Sequence, residues 1–242
     1  MRDRRLEDLV ARLAAAGLDV VAPFAASAYD RIRPDGFAPL RRHGREDALA
    51  VLVGNTRALW PKLVDAVRRD PSLATCSDPV DTYVVRTVTQ ALDTAFGTVR
   101  RHVVFAHDTG TERVAMVHAA EAAGIAQRGP TALAIHGTYG PWWALRALVT
   151  FDLPPVPSPA PPRICDGCPA PCRPAADHVA RLRARAAGDL DGRAFVRRHF
   201  DALVAMRAAC PVGARHRYGD AQLRYHYLLD RAGLRGSARS ED

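Results

Sequence analysis

Apolar residues recur along the chain at two spacings, one typical of helices and one typical of strands. One-sided helical stripes lie within residues 6–13, 59–67, 84–96, 112–128, 195–207 and 220–231. Short apolar runs, which indicate buried strands, lie at residues 18–24, 49–54 and 103–106. This mixture of helices and strands predicts an α+β fold.

The most distinctive stretch covers residues 131–151. Two apolar runs, 131–135 and 145–151, flank a polar and aromatic turn that is interrupted by glycine. In the second run, apolar residues at every other position predict a strand, with Arg146 on the face opposite Leu145 and Ala147. The adjacent tryptophans of the turn allow two interpretations. They form a flat floor for a large ring, or they cap the core beneath a hairpin.

A proline-rich connector follows this stretch. Residues 154–174 contain nine prolines in 21 positions, which excludes a helix or a central strand. The connector carries Cys165, Cys168 and Cys172, and Cys210 precedes a proline far downstream. Four thiolates so spaced suit a 4Fe–4S cluster, and a structural zinc ion accepts the same ligands. A motif that binds no metal is the third alternative.

Composition narrows the classes of function. The 242 residues are 48% hydrophobic and 25% charged, which is ordinary for a globular protein. The net charge is +8, but no basic tract with interleaved aromatics is present, so we expect no nucleic-acid partner. No apolar run is long enough to span a membrane, and the N-terminus lacks a signal-peptide core. We therefore expect a cytoplasmic protein without a membrane partner.

Three motifs together resemble one known family, the cblC-type cobalamin-processing proteins, which are cyanocobalamin decyanases and alkylcobalamin dealkylases. The first is HGTYGPWWALRALVTFDLP, in which Pro141 replaces a second glycine of the family. The second is the run Asp78-Pro79-Val80-Asp81 before a helix, where Asp81 is by position an N-cap or first-turn acid. The third is the late Arg-Tyr-acid-Gln pattern. The resemblance spans roughly residues 6–230.

The resemblance implies a set of site residues and a scaffold. The cobalamin-binding residues that it implies are Asp78, Asp81, His136, Thr138, Tyr139, Gly140, Trp142, Arg217, Tyr218 and Gln222. It also implies that Arg146 and Arg207 hold the carboxylates of a thiol cosubstrate. The implied fold is a nitroreductase-like scaffold with a mostly antiparallel sheet flanked by helices. Its parts are a core (1–152), a Pro/Cys-rich connector (153–175), a helical C-terminal cap (176–236) and a disordered tail (237–242).

The function implied by the resemblance is removal of the upper axial ligand of cobalamin. The protein would hold cobalamin with its lower base displaced and perform reductive decyanation or thiol-dependent dealkylation. Reduced flavin (FMN or FAD), a flavin reductase or a low-molecular-weight thiol would assist, and a homodimer is compatible. Two alternatives remain open. The cysteine segment resembles epoxyqueuosine reductases, which suggests an iron–sulfur, cobalamin-dependent reductase, and the other alternative is a non-enzymatic cobalamin carrier.

Overall fold

The structure, a computed structural model, describes residues 3–186 and 191–235. Its α-helices are α1 (Arg4–Ala15), α2 (Ala26–Asp30), α3 (Leu59–Arg69), α4 (Ser72–Thr75), α5 (Pro79–Phe96), α6 (Met116–Ala122), α7 (Arg173–Arg185), α8 (Gly192–Arg198), α9 (Phe200–Ala208) and α10 (Asp220–Leu228). Its strands are β1 (Val20–Ala25), β2 (Leu49–Asn55), β3 (Arg101–Phe105), β4 (Ala126–Arg128), β5 (Ala134–His136) and β6 (Ala144–Phe151).

A four-stranded sheet in the order β1-β2-β6-β3 forms the centre of the molecule, and every neighbouring pair is antiparallel. The central strand β2 is buried along its whole length because helices cover both faces of the sheet. One face packs on α1, α3 and α5, and the other packs on α2 and α6. The predicted α+β fold with an antiparallel sheet flanked by helices is confirmed.

The helix α5 shows how local sequence sets an element that borders the site. Asp78 is its N-cap and accepts a hydrogen bond from the backbone N–H of Asp81 at 3.1 Å. Pro79 follows in the first turn, where its missing N–H costs nothing. Asp81 is therefore the first-turn acid, which was one of the two positions that the sequence allowed.

Several element boundaries differ from the prediction. The helix predicted over 112–128 is limited to α6, because Gly124 turns the chain at φ +69° and leads it into β4. The single stripe over 195–207 is two helices, since the backbone at His199 (φ −119°, ψ 27°) leaves the helical region. The helix predicted over 220–231 ends at Leu229, which has φ +56°. β5 pairs with β4, so the two apolar runs around the turn do not form a hairpin.

The C-terminal segment, for which a cap was predicted, contains the helices α7 to α10 and packs on the core. Tyr225 of α10 and Leu234 lie in the same apolar cluster as α1, α3 and α5. Residues 154–172 contain no helix or strand, as predicted for the connector, and α7 begins at Arg173. The predicted tail, residues 237–242, lies outside the described residues. Within the described ranges, no helix has the length and apolarity that a membrane crossing requires.

Candidate functional site

A β-bulge brings Arg146 to the centre of the candidate site. The register of β6 against β2 shifts so that Val53 pairs with Ala147 and Gly54 pairs with Leu145, which leaves Arg146 without a partner on β2. Gly54 is required there, since a Cβ atom would lie 2.7 Å from the carbonyl oxygen of Ala144. The bulge overturns the predicted alternation: Leu145 packs with one apolar cluster and Ala147 with the other.

The guanidinium of Arg146 is only partly satisfied. Its Nε donates a hydrogen bond to Oδ1 of the buried Asn55 at 2.6 Å. Its Nη2 is buried and has no hydrogen-bond partner among the residues that the structure describes. Burial lowers the pKa of Arg146, although the hydroxyl of Tyr218 and the carboxylates of Asp81 and Asp78 oppose that shift. The site thus contains a partly buried cation that has no hydrogen-bonded anion among the described residues.

An open cleft of about 310 Å³ begins at this arginine. Its polar lining includes Arg146, Arg207, Tyr218, His226 and Tyr227. Tyr218 is only 2% exposed, and its hydroxyl also lacks a hydrogen-bond partner in the described part of the chain. Burial raises the pKa of Tyr218, so its hydroxyl is a neutral donor. Burial, and then the charges of Arg146 and Arg207, hold the pKa of His226 well below its usual value.

Arg207 of α9 joins the cleft to the turn. Its Nε donates to the carbonyl oxygen of Pro141 at 2.8 Å, and its Nη2 donates to that of Trp143 at 2.9 Å. Its guanidinium also lies 5.0 Å from the Trp142 ring and 4.8 Å from the Tyr218 ring. These donors of Arg207 are engaged with backbone carbonyl groups. The Nη2 of Arg146, in contrast, has no hydrogen-bond partner among the described residues. Binding of the cosubstrate by Arg207 stays a prediction.

Both tryptophans of the turn are packed in the interior. Trp142 is 1% exposed and packs against Tyr218 and Leu223. Trp143 is 5% exposed, lines the cleft and donates from Nε1 to the carbonyl oxygen of Ala134 at 2.8 Å. Neither ring presents an open face in this structure, and Trp142 reaches the cleft through Arg207.

His136 organises the turn. Its Nδ1 accepts hydrogen bonds from the backbone N–H groups of Thr138 at 3.0 Å and Tyr139 at 3.3 Å. Its ring stacks on Tyr139 with centroids 4.6 Å apart. Burial, and then the nearby His216, lower the pKa of His136, so the neutral ring is favoured. In that neutral ring the proton is on Nε2, because Nδ1 is the acceptor.

Two glycines lock the turn against the C-terminal segment. Gly140 has φ +56°, and a Cβ atom there would lie 1.8 Å from the carbonyl oxygen of Val212. Gly213 has φ +73°, and a Cβ atom there would lie 2.2 Å from the carbonyl oxygen of Tyr139. Each position therefore admits only glycine because the two backbones are in contact.

The remaining predicted binding residues, Asp78, Asp81, Gln222 and Arg217, do not line the cleft. Asp78 accepts a hydrogen bond from the hydroxyl of Tyr225 at 2.9 Å, which docks α10 on the start of α5. Burial, and then the neighbouring Asp78, raise the pKa of Asp81. Gln222 is buried, with its Nε2 3.4 Å from Nε2 of His226. Arg217 is exposed and lies 4.0 Å from Asp220, so it stands outside the cleft.

The four predicted metal-binding cysteines meet in space. Cys165, Cys168, Cys172 and Cys210 line one small cavity of about 20 Å³. Burial raises the pKa of Cys165 and Cys210. All are free thiols. Within residues 3–186 and 191–235, no group of three or more His, Cys, Asp or Glu side chains is arranged to hold a metal ion.

Sequence reasoning did not identify Asn55 and His226 as site residues. Nothing in the local sequence links Asn55 to Arg146, which is 91 residues away. His226 follows Gln222 by four residues on α10, so the two side chains share a helix face. That spacing was the available signal for His226.

Comparison with known proteins supports the fold. No protein-family model matches the chain, and no curated protein matches it. Among solved structures, the chain is similar to the crystal structure of a C. elegans B12-trafficking protein CblC, a human MMACHC homologue. The TM-score is 0.65 at 14% identity, over 96% of this chain and 94% of that chain. The protein thus has the nitroreductase-like α+β scaffold that its sequence predicted.

Two crystal structures of epoxyqueuosine reductase match at lower scores. One, labelled with selenomethionine, gives a TM-score of 0.46 at 17% identity over 70% of this chain and 51% of that chain. The other, with a tRNA stem loop, gives 0.43 at 16% identity over 68% and 50%. At these scores the two likenesses do not define the fold.

Proposed function

We propose that the protein binds cobalamin and removes its upper axial ligand. The observation that carries the proposal is the cleft beside the turn at residues 136–140, where the buried Nη2 of Arg146 and hydroxyl of Tyr218 have no partner among residues 3–186 and 191–235. Buried polar groups of native proteins are normally hydrogen-bonded, so two orphans in one cleft mark a place for a ligand. The whole-chain likeness of fold to a B12-trafficking protein supports cobalamin as the larger ligand.

The volume of the cleft decides which ligand can enter it, the corrin ring or a smaller cosubstrate. At about 310 Å³ it is at the low end of the roughly 300–1,000 Å³ typical of pockets for drug-sized molecules. A corrin ring with its side chains exceeds that volume. The cleft therefore receives a smaller group, and the corrin lies at its mouth beside the turn.

The positive charge of the cleft indicates which chemical class of small cosubstrate it binds. Arg146 and Arg207 line it, and burial keeps His226 neutral there. A guanidinium binds a carboxylate with parallel hydrogen bonds, so a thiol that bears a carboxylate fits this cleft. Arg146 holds the carboxylate, Tyr218 donates a second hydrogen bond, and the surrounding apolar side chains exclude water. Bound cobalamin supplies the chemistry at its metal, and the protein supplies orientation.

Spectroscopic titration tests the proposal. The protein is titrated into methylcobalamin and cyanocobalamin without oxygen, and visible spectra are recorded before and after mercaptoacetate or reduced FMN is added. We expect the visible band to move to shorter wavelength on binding and then to change with time as the upper ligand leaves. Binding without loss of the ligand would indicate a carrier. An unchanged spectrum at saturating protein would contradict cobalamin binding altogether.

A further inference from the structure

We propose that Cys165, Cys168, Cys172 and Cys210 hold a 4Fe–4S cluster in the cavity that they line. This site is distinct from the cleft at Arg146, and its assignment does not depend on cobalamin binding. Its support comes from the way in which the fold brings the four thiols together, from the environment of their sulfur atoms and from their spacing.

The packing of α7 against α9 brings Cys210 to the other three cysteines. Cys172 stands at the N-terminal end of α7, and Cys210 follows the C-terminal end of α9. The helices α7 and α9 pack against each other, so the chain returns after 38 residues to the point from which it left. Cys172 and Cys210 are both buried there. Nothing in the connector alone would predict this meeting.

The loop that carries the other thiols is anchored and shaped. Gln127 of β4 accepts a hydrogen bond from the backbone N–H of Cys165 at 2.6 Å and donates one to Asp166 at 3.1 Å. Gly167 and Ala170 both have positive φ, +73° and +51°, and they bend the loop around the cavity. A positive φ is costly for alanine, so the surrounding contacts must hold this bend in place.

The surroundings of the sulfur atoms suit an iron–sulfur cluster. Apart from the cysteines, the lining side chains are apolar and include Ile135, Ile164 and Val212. The backbone N–H of Ala170 donates to the Sγ of Cys168 at 3.4 Å. Backbone donors to sulfur and a solvent-poor apolar shell are the features by which proteins tune such clusters. Ile135 precedes His136, and Val212 contacts Gly140, so the cavity lies directly behind the turn of the proposed cobalamin site.

The spacing distinguishes a cluster from a zinc ion. Structural zinc sites usually combine two close pairs of ligands, and the four sulfurs meet at one ion about 2.3 Å away. This chain has a run of three cysteines spaced C-x2-C-x3-C and a remote Cys-Pro, and a Cys-Pro also ends ferredoxin-like runs. The four thiols line one cavity from two distant segments, and a cluster binds each of its four ligands to a separate iron atom.

Anaerobic reconstitution with ferrous iron and sulfide tests the assignment. We expect about four iron and four sulfide ions per chain, with a brown colour that fades in air. Cys168→Ser and Cys210→Ser should retain several-fold less iron. Cys76→Ser is the matched control, because the Sγ of Cys76 donates to the carbonyl oxygen of Leu73, away from the cavity. This control should bind iron as the unmodified protein does.

Circular dichroism shows whether a serine variant folds. If one does not, thiol labelling of the unmodified protein provides a second test. In the reconstituted unmodified protein, maleimide should label Cys76 and spare the four cavity cysteines. Failure to take up iron, labelling of all five cysteines after reconstitution, or equal loss of iron in Cys76→Ser would each overturn the proposal. Uptake of one zinc ion per chain in place of iron would overturn it in favour of a zinc site. None of these readouts involves cobalamin, so failure here and failure of the proposed function are distinguishable.

Discussion

The guanidinium of Arg146 lacks hydrogen-bond partners for part of its donors among the described residues. A buried guanidinium that lacks a full set of acceptors costs free energy, and native proteins compensate such a charge with an anion. Its one hydrogen bond goes to a neutral amide, and the acids Asp78 and Asp81 attract it only at a distance. The donors on the buried Nη2 have no partner among the described residues and are therefore available to the carboxylate of a ligand.

We predict that Arg146→Lys raises the Michaelis constant for mercaptoacetate in dealkylation about tenfold, because lysine keeps the charge but loses the guanidinium fork. The constant for mercaptoethanol, which has no carboxylate, should stay unchanged, and cobalamin affinity should stay within a few-fold. Steady-state kinetics with the two thiols, together with a methylcobalamin titration, measure these quantities.

Arg68→Lys is the control for this comparison, since Arg68 of α3 is exposed, pairs with Asp65 and does not line the cleft. If Arg146→Lys unfolds the protein, or weakens the binding of both thiols and of cobalamin equally, Arg146 is structural and the assignment of the thiol site is wrong.

Gly140 and Gly137 provide a matched pair within one turn. Gly140→Ala forces a Cβ atom against the carbonyl oxygen of Val212 at a positive φ, whereas nothing lies within 4 Å of a Cβ atom at Gly137. We expect Gly140→Ala to lower the free energy of unfolding by about 3 kcal/mol. Gly137→Ala should change it by less than about 0.5 kcal/mol. Urea denaturation measures both, and similar values would refute the contact between the two backbones.

At the scale of elements, α9 is attached to the turn through one side chain. Arg207 spans from α9 to the carbonyl oxygens of Pro141 and Trp143 and lies between two aromatic rings. This arrangement fixes where β6 begins. Arg207 also connects the turn to α9, the helix that precedes Cys210. The cleft and the cysteine cavity therefore both depend on the position of α9.

We predict that Arg207→Lys lowers the free energy of unfolding by about 2 kcal/mol, because hydrogen bonds from a charged donor to buried carbonyl groups are lost. Tryptophan emission should also shift, since the guanidinium lies on the ring of Trp142. Chemical denaturation followed by fluorescence records both effects.

Arg224→Lys is the comparison, because Arg224 of α10 makes an exposed ion pair with Asp230. We expect Arg224→Lys to lower the free energy of unfolding by less than about 0.5 kcal/mol. An Arg207→Lys variant as stable as Arg224→Lys, with unchanged emission, would show that α9 is held by apolar packing alone.

At the scale of the whole molecule, stability should depend on the protonation of two partly buried histidines. Burial lowers the pKa of His226 and of His136 in the folded protein, relative to the ordinary value of 6.5. Below pH 6.5 the unfolded chain therefore binds more protons than the folded chain. The contribution of these groups is complete above that pH and is lost as the pH falls.

We predict that the free energy of unfolding decreases between about pH 7 and pH 5, by up to about 1.4 kcal/mol per pH unit for each such histidine. His226→Gln should remove about 1 kcal/mol of the loss at pH 5.5. Thermal and urea denaturation across this range measure it. His178→Gln, at an exposed position on α7, should leave the slope unchanged. An equal slope in all three proteins would mean that His226 is protonated in the folded state.

The sequence by itself determined most of the elements, because their signals are local. Helical periodicity identified α1, α3 and α5, and short apolar runs identified the strands β1, β2 and β3. The Asp78-Pro79 start of α5 and the proline-rich connector were also readable without a structure. The boundaries that failed, at Gly124, His199 and Leu229, depend on single backbone conformations that periodicity does not report.

The tertiary structure alone decided how the site is assembled. The bulge that isolates Arg146 arises from the pairing of β6 with β2, and the partners Asn55 and Arg146 are 91 residues apart. The contact of Gly140 with Val212, the burial of Trp142 and the meeting of Cys210 with the connector cysteines likewise join distant segments. Such contacts result from packing of the whole chain, and hydrophobic periodicity carries no information about which distant segments meet.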